Sequence, residues 1–259
     1  MKCSICGAVK NCGPYLNKVF KNIEKIGSLF NDYRVIIYYD DSIDDTLEKL
    51  NDYKKSNDKI SFYVNKDFIS QYRTVRIERA RNFCLQQIRD NYLDYEFFIM
   101  MDFDDVCSSD IKLEILEKYL KREDWDGLSF NKCPYYDLWA LSIKPYFLSC
   151  LHFGGTSGEI LNNYITNLFQ NLPPGELLPC ASAFNGFAIY KTNKFINCNY
   201  FGKFNFKLFP QKLVLKNLSM LEEKINFNFV EDCEHRAFHI QAINKNNARI
   251  RISPEILFN

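Results

Sequence analysis

Asp102 and Asp104 are the residues of this chain with the plainest chemical potential. They follow Phe97-Phe98-Ile99-Met100-Met101, an apolar run that reads as a buried strand, and Asp105 comes directly after them. Carboxylates this close repel one another unless a positive charge lies between them. A divalent cation held through oxygen relieves both and in turn grips a phosphate. The pattern points to nucleotide or phosphate chemistry, with Asp102 and Asp104 as metal ligands and Asp102 beside the nucleotide. A second acid pair, Asp40-Asp41, closes the run Arg34–Tyr39. A carboxylate there accepts hydrogen bonds from a nucleobase N–H or from ribose hydroxyls; its plainer role is to cap the next helix beside Ser42. Arg73, Arg76, Arg79 and Arg81 crowd into nine residues just before the acidic strand. Arg73 and Arg76 share a helix face. A guanidinium near a diphosphate offsets the charge a cation leaves over, so Arg73, Arg76 and Arg79 join the candidate nucleotide site.

A third group is Glu231-Asp232-Cys233-Glu234-His235-Arg236-Ala237-Phe238-His239. The chain has only three histidines, His152, His235 and His239, and two of them sit here. Glu231, His235 and His239 are spaced to share one helix face. Such an edge supplies a histidine, His239 or His235, to a metal and a carboxylate base, Glu234 or Asp232, to an acceptor hydroxyl. Asn185-Gly186 lets backbone approach a ligand closely, because glycine lacks a Cβ. Tyr136, Asp137 and Trp139 combine aromatic faces with a carboxylate, which suits a sugar ring; core packing is the plainer role of the two rings.

The elements that must position these residues are legible from periodicity. Cys3–Val9, Arg34–Tyr39, Ile60–Val64, Phe97–Met101 and Asp126–Asn131 read as strands. Helical spacing appears in Leu16–Ile26, from Ser42 onward, over Tyr72–Arg89 and after Ser109. This alternation predicts an α/β fold, a mostly parallel sheet covered on both sides, with ligands beyond the carboxyl ends of its strands. Both acid groups fall at strand carboxyl ends. The second half is less regular, with a strand over Ala183–Tyr190 and a helix over Phe229–Ala242. At 259 residues, 47% hydrophobic and 16% aromatic, the chain is expected to form one domain. Its formal charge of +1 gives no global field to attract nucleic acid, so phosphate affinity must be local. No apolar run reaches the roughly 18–20 residues needed to span a bilayer, and the amino terminus lacks the apolar core of a secretory signal. Both point to the cytoplasm. The ten cysteines are scattered, and Cys3 and Cys6 would face opposite sides of a strand, which suits small buried apolar residues better than a zinc site.

Taken together, Arg76-Ile77-Glu78-Arg79-Ala80-Arg81-Asn82, Met101-Asp102-Phe103-Asp104-Asp105, Tyr135–Leu141, Phe184–Tyr190 and Cys233-Glu234-His235 resemble a GT-A-type glycosyltransferase over nearly the whole chain. Within that superfamily the chain is most similar to cytoplasmic glycosyltransferases of large DNA viruses and fungal capsule-associated mannosyltransferases, which would place it in a host cytoplasm or a virion. The resemblance implies a Rossmann-like GT-A domain, with residues 1–131 as the nucleotide-sugar half and 132–259 as an irregular acceptor-side half. It implies a UDP- or GDP-sugar donor, Mn2+ or Mg2+, and a hydroxyl acceptor on a glycan or protein. Asp102 and Asp104 match the family's Asp-x-Asp motif, and Asn185-Gly186 its glycine-containing loop. Its C-terminal acidic motif falls on Glu231-Asp232 or on Cys233-Glu234-His235, and its metal-binding histidine on His239 or His235. A haloacid-dehalogenase-like phosphatase fits Asp102–Val106 but needs that motif near the amino terminus. A sugar nucleotidyltransferase needs a richer glycine loop than Gly7–Gly13. A non-enzymatic sugar-binding module leaves the acid cluster without a purpose.

Overall fold

The computed structural model describes residues 1–148, 157–220 and 231–259. The first half follows the expected alternation. Strands β1 (Lys2–Val9), β2 (Asp32–Asp40), β3 (Ile60–Asn65) and β4 (Phe97–Met101) are joined by helices α1 (Gly13–Gly27), α2 (Thr46–Ser56) and α3 (Arg73–Asn91). All four strands run parallel, in the order β3-β2-β1-β4. The chain first winds outward from β1 to β3, and α3 then carries it back across to β4. The direction of winding reverses between β1 and β4, and their carboxyl ends leave a crevice there.

The second half extends this sheet to eight strands, ordered β3-β2-β1-β4-β7-β5-β8-β6. After α4 (Leu113–Leu120) come β5 (Gly127–Asn131), α5 (Ser157–Gln170), β6 (Leu178–Cys180), β7 (Phe187–Lys191), α6 (Thr192–Phe195), α7 (Gln211–Met220), α8 (Glu234–Asn246) and β8 (Ile250–Ile256). β7 lies antiparallel between β4 and β5, while β8 runs parallel to β5. The strand expected over Ala183–Tyr190 is therefore present, starting at Phe187. Its place beside β4 sets Gly186 opposite the acid turn, and the Asp102 N–H donates to the Gly186 carbonyl at 2.8 Å.

Residues of β1 alternate between two cores. Cys3, Ile5 and Val9 pack with α1, α2 and α4, whereas Cys6 packs with α3 and α8, as expected for cysteines used as small apolar side chains. Among the described residues all nine cysteines are free. Two helix starts differ from expectation. Ser42 caps no helix: its hydroxyl accepts from the Asn11 N–H and donates to the Asp40 carbonyl. α4 begins at Leu113, not at Ser109, whose carbonyl accepts from the Asn22 side chain. The helix expected over Phe229–Ala242 begins at Glu234, and residues 229–230 lie outside the described residues, as does His152.

Arg236 of α8 is fully buried and ties the irregular half together. Its guanidinium donates to Asp232 at 3.1 Å, to the carbonyls of Trp139, Leu141 and Phe147, and to the Ser142 hydroxyl. Removing one partner of a buried ion pair leaves the other charged and unpaired. Arg236→Met should cost about 3–5 kcal/mol of stability, read as a lower midpoint in urea denaturation; an unchanged midpoint would show that this arginine does not hold the 139–147 segment.

Candidate active site

The crevice at the carboxyl ends of β1 and β4 opens into a cavity of about 600 Å³. Asp40 reaches it from the end of β2, Lys10 from just beyond β1, and Asp102 and Asp104 from the turn after β4. Arg73, Arg76 and Arg81 line it from α3, Tyr136, Asp137 and Trp139 from the loop after β5, and Glu234 and His235 from the start of α8. Ten of the residues expected from sequence thus meet around one space: Asp40, Arg73, Arg76, Asp102, Asp104, Tyr136, Asp137, Trp139, Glu234 and His235.

The acid turn is shaped by close packing. A Cβ on Gly7 of β1 would lie 2.3 Å from the Phe103 ring, so the bare backbone there lets that ring sink onto β1. Phe103 is buried while its two aspartate neighbours face the cavity. The Asp104 carboxylate also accepts from the Val106 N–H at 3.0 Å. Gly186 has φ of +86°, and a Cβ on it would lie 2.2 Å from Val106; glycine alone fits both the backbone and the space.

Arg81 occupies the centre. Its guanidinium donates to Asp102 at 3.0 Å, to the Glu234 carboxylate and to His235 Nε2, and it lies over the Phe184 ring at 4.5 Å. Its side chain is only 8% exposed and that of Glu234 5%. Burial acts to lower the arginine pKa, but Glu234 and Asp102 outweigh it and hold the group above its ordinary value. Burial pushes Asp102 up to about 7 despite Arg81, with Asp104, Asp137 and Glu234 adding to the rise. Asp104 and Asp137 are also raised, chiefly by burial. Burial and neighbouring acids thus disfavour the charged forms of these carboxylates, a condition a cation relieves. Among the described residues no three His, Cys, Asp or Glu side chains converge into a ready-made metal cage. Two carboxylates facing one cavity fit an ion of the Mg2+ or Mn2+ kind, which takes its remaining oxygens from water and substrate phosphates.

Other expected residues lie elsewhere. His239 is fully buried away from the cavity: Nδ1 bonds to the Ser182 hydroxyl at 2.9 Å and Nε2 to the Tyr190 hydroxyl at 3.0 Å. Both ring nitrogens are engaged, so the structure does not bring it to a metal. Asp232 turns into the core against Arg236. Glu231 precedes the helix and instead caps α3, accepting from the Thr74 N–H and hydroxyl, so the expected shared face with the two histidines does not form. Of these C-terminal acids only Glu234 lines the cavity. Asn185 and Gly186 stand behind the wall: the Asn185 amide oxygen accepts from the N–H groups of Tyr136 and Asp137. Asp41 and Arg79 are exposed and outside the lining. Arg81 belongs to the crowded arginines, yet the charge pattern alone favoured its neighbours. The usable signal was its spacing from Ile77, Cys84 and Ile88, which sets it within the apolar stripe of α3.

The family model described as "Glycosyl transferase family 2" matches residues 4–172. Solved structures share the fold at low identity. S. aureus TarS is 14% identical with a TM-score of 0.51, covering 100% of this chain and 36% of that one. Its 1–349 fragment in complex with UDP is 14% identical with a TM-score of 0.50, covering 100% and 59%. The mannosyltransferase PcManGT from Pyrobaculum calidifontis, in complex with GDP-Man and Mn2+, is 10% identical with a TM-score of 0.51, covering 99% and 55%. The chain thus spans about a third to three-fifths of these proteins. A search of curated protein sequences returned no match.

The buried histidines make the fold sensitive to acid. Burial lowers His239 to about 3 and His235 well below its ordinary value. The unfolded chain takes up a proton at each near pH 6.5 while the folded one does not. Stability is fully held above that pH and is lost as pH falls toward 3. Each buried histidine should contribute about 1 kcal/mol of loss per pH unit below ~6. Urea denaturation at pH 7 and pH 5 should show a smaller acid loss for His239→Gln than for the parent; equal losses would mean that the imidazole is not held neutral.

Proposed function

The chain belongs to glycosyl transferase family 2 and has the GT-A fold, and on that premise we propose that it moves a sugar from a UDP- or GDP-sugar to a hydroxyl of a glycan or protein with the help of Mn2+ or Mg2+. It is a glycosyltransferase; the donor, the cation, the acceptor and the residue roles are our reading. The observation that carries it is the placing of Asp102, Asp104 and Glu234 around one cavity at the reversal point of a parallel sheet. The ligands seen with the S. aureus TarS fragment and the Pyrobaculum mannosyltransferase, the nucleotide UDP and the nucleotide-sugar GDP-Man, suit the donor class proposed.

In this reading residues 1–131 bind the nucleotide-sugar and 132–259 the acceptor. Asp40, held by Lys10 at 3.0 Å and by the Asn65 amide at 3.1 Å, presents a fixed acceptor to the base or ribose. Asp102 and Asp104 would hold the divalent cation, which when bound supplies Lewis-acid stabilisation of the departing diphosphate. Arg73 and Arg76 add positive charge on the same wall. Asp137 and Trp139 face the sugar. Glu234, rather than the inward-turned Asp232, takes the proton of the acceptor hydroxyl on an inverting path. Among the described residues no helix is long and apolar enough to cross a membrane. We keep the cytoplasm as the proposed compartment, and the likeness to cytoplasmic glycosyltransferases of large DNA viruses and fungal capsule-associated enzymes as part of the proposal.

Asp104→Ala should lose at least about 100-fold of its metal-dependent donor hydrolysis with its melting temperature nearly unchanged; full turnover in that variant would remove the acid pair from the mechanism. Glu234→Gln should lower transfer by roughly 10²–10⁴-fold while leaving donor binding in place. A thermal-shift screen of UDP- and GDP-sugars with and without Mn2+ identifies the donor, since a ligand of the native state raises its melting temperature. No shift with any nucleotide-sugar would count against the reading.

A further inference from the structure

Arg81 holds one oxygen of a carboxylate assigned above to the cation. The Asp102 carboxylate accepts from Arg81 at 3.0 Å through Oδ1, and Asp102 is one of the two carboxylates assigned above to the divalent ion. The guanidinium is not free to swing aside. Glu234 and His235 hold its other end, the Phe184 ring covers it at 4.5 Å, and the Tyr200 ring lies at 5.9 Å. Its side chain is 8% exposed. A divalent ion reaching Asp102 therefore meets a fixed positive charge on the same carboxylate, in a setting where water screens little. A nucleoside diphosphate would change that balance, because its phosphate oxygens would carry negative charge into the cavity.

We propose that Arg81 is a positioning residue that makes cation binding conditional on the nucleotide: it weakens capture of a bare divalent ion at Asp102 and Asp104 and lets the ion settle only with a diphosphate. The proposal rests on the reading of Asp102 and Asp104 given above. Coupling between two ligands is reciprocal, so the same guanidinium makes diphosphate binding depend on the cation. The device keeps the acid pair from being filled by whatever divalent ion is abundant, and it leaves Glu234 oriented by a partner that stays in place throughout.

The test is direct binding of Mn2+, followed by loss of the free-ion electron paramagnetic resonance signal, with no turnover required. The parent protein should bind Mn2+ weakly alone and about 5–150-fold more tightly with UDP or GDP present, the usual span of such coupling. Arg81→Gln should bind Mn2+ alone about tenfold more tightly than the parent, and the nucleotide should then add less. Arg81→Lys, which keeps the charge, should behave like the parent. A loosened or damaged site would bind the ion less well, so a gain separates this role from a structural one. Parent protein that binds Mn2+ equally with and without nucleotide overturns the proposal even where Arg81→Gln fails to fold. So does a folded Arg81→Gln protein with unchanged or weaker binding. Asp104→Asn separates the two claims: if it binds Mn2+ as the parent does, the acid-pair reading itself fails. If it loses the ion while Arg81→Gln gains nothing, only the gate fails.

Discussion

One buried guanidinium is the constraint on which the site turns. Asp102 and Glu234 arrive from elements far apart in the chain, and each would repel the other across the cavity. Arg81 bonds both and so fixes where the acid turn after β4 stands relative to the start of α8. Buried ion pairs seldom add stability, because desolvation consumes the Coulombic gain. The arrangement is better understood as one that sets geometry. Two carboxylates and one guanidinium form a fixed frame, and Asp104 and Asp137 stand near enough to raise Asp102 further.

Several contacts away from the cavity exist to hold that frame. Glu231 caps the amino end of α3, the helix that carries Arg81. Arg236 gathers the carbonyls of the 139–147 segment and so settles the loop bearing Trp139. Asn185 performs the same service for Tyr136 and Asp137 through its side-chain oxygen. Gly186 brings β7 against the acid turn. These residues touch nothing in the cavity, yet each fixes the backbone of one that does.

The sequence disclosed the frame unevenly. β1 to β5 and the edge where Asp40, Asp102 and Asp104 emerge were legible, because buried parallel strands are short apolar runs and their ends are marked by charge. The antiparallel insertion of β7 between β4 and β5 was not, since pairing partners are chosen by packing across the whole chain. β8 escaped notice: Pro254 interrupts a stretch whose alternating Ile250 and Ile252 are otherwise strand-like. The acids of the 231–239 segment were visible as a group, but the start of α8 at Glu234 decides which of them faces the cavity. His239 carries the residue type of a ligand and the surroundings of a core residue, a difference that only Ser182 and Tyr190 reveal. Arg81 was misjudged because charge was weighed without the apolar spacing around it.

The distance along the chain between Arg81 and Glu234, 153 residues, has a consequence for how the protein comes into being. Among the described residues β1 to β4 pair with one another and with β7, so the nascent chain can assemble the parallel portion while later segments are still being made. Glu234 arrives much later, at the start of α8 and just ahead of β8, the strand that joins β5 to β6. A chain stopped within α7 would carry Arg81 and the turn after β4 but not Glu234, the carboxylate that Arg81 bonds. The two sides of the cavity therefore meet only once α8 has been made.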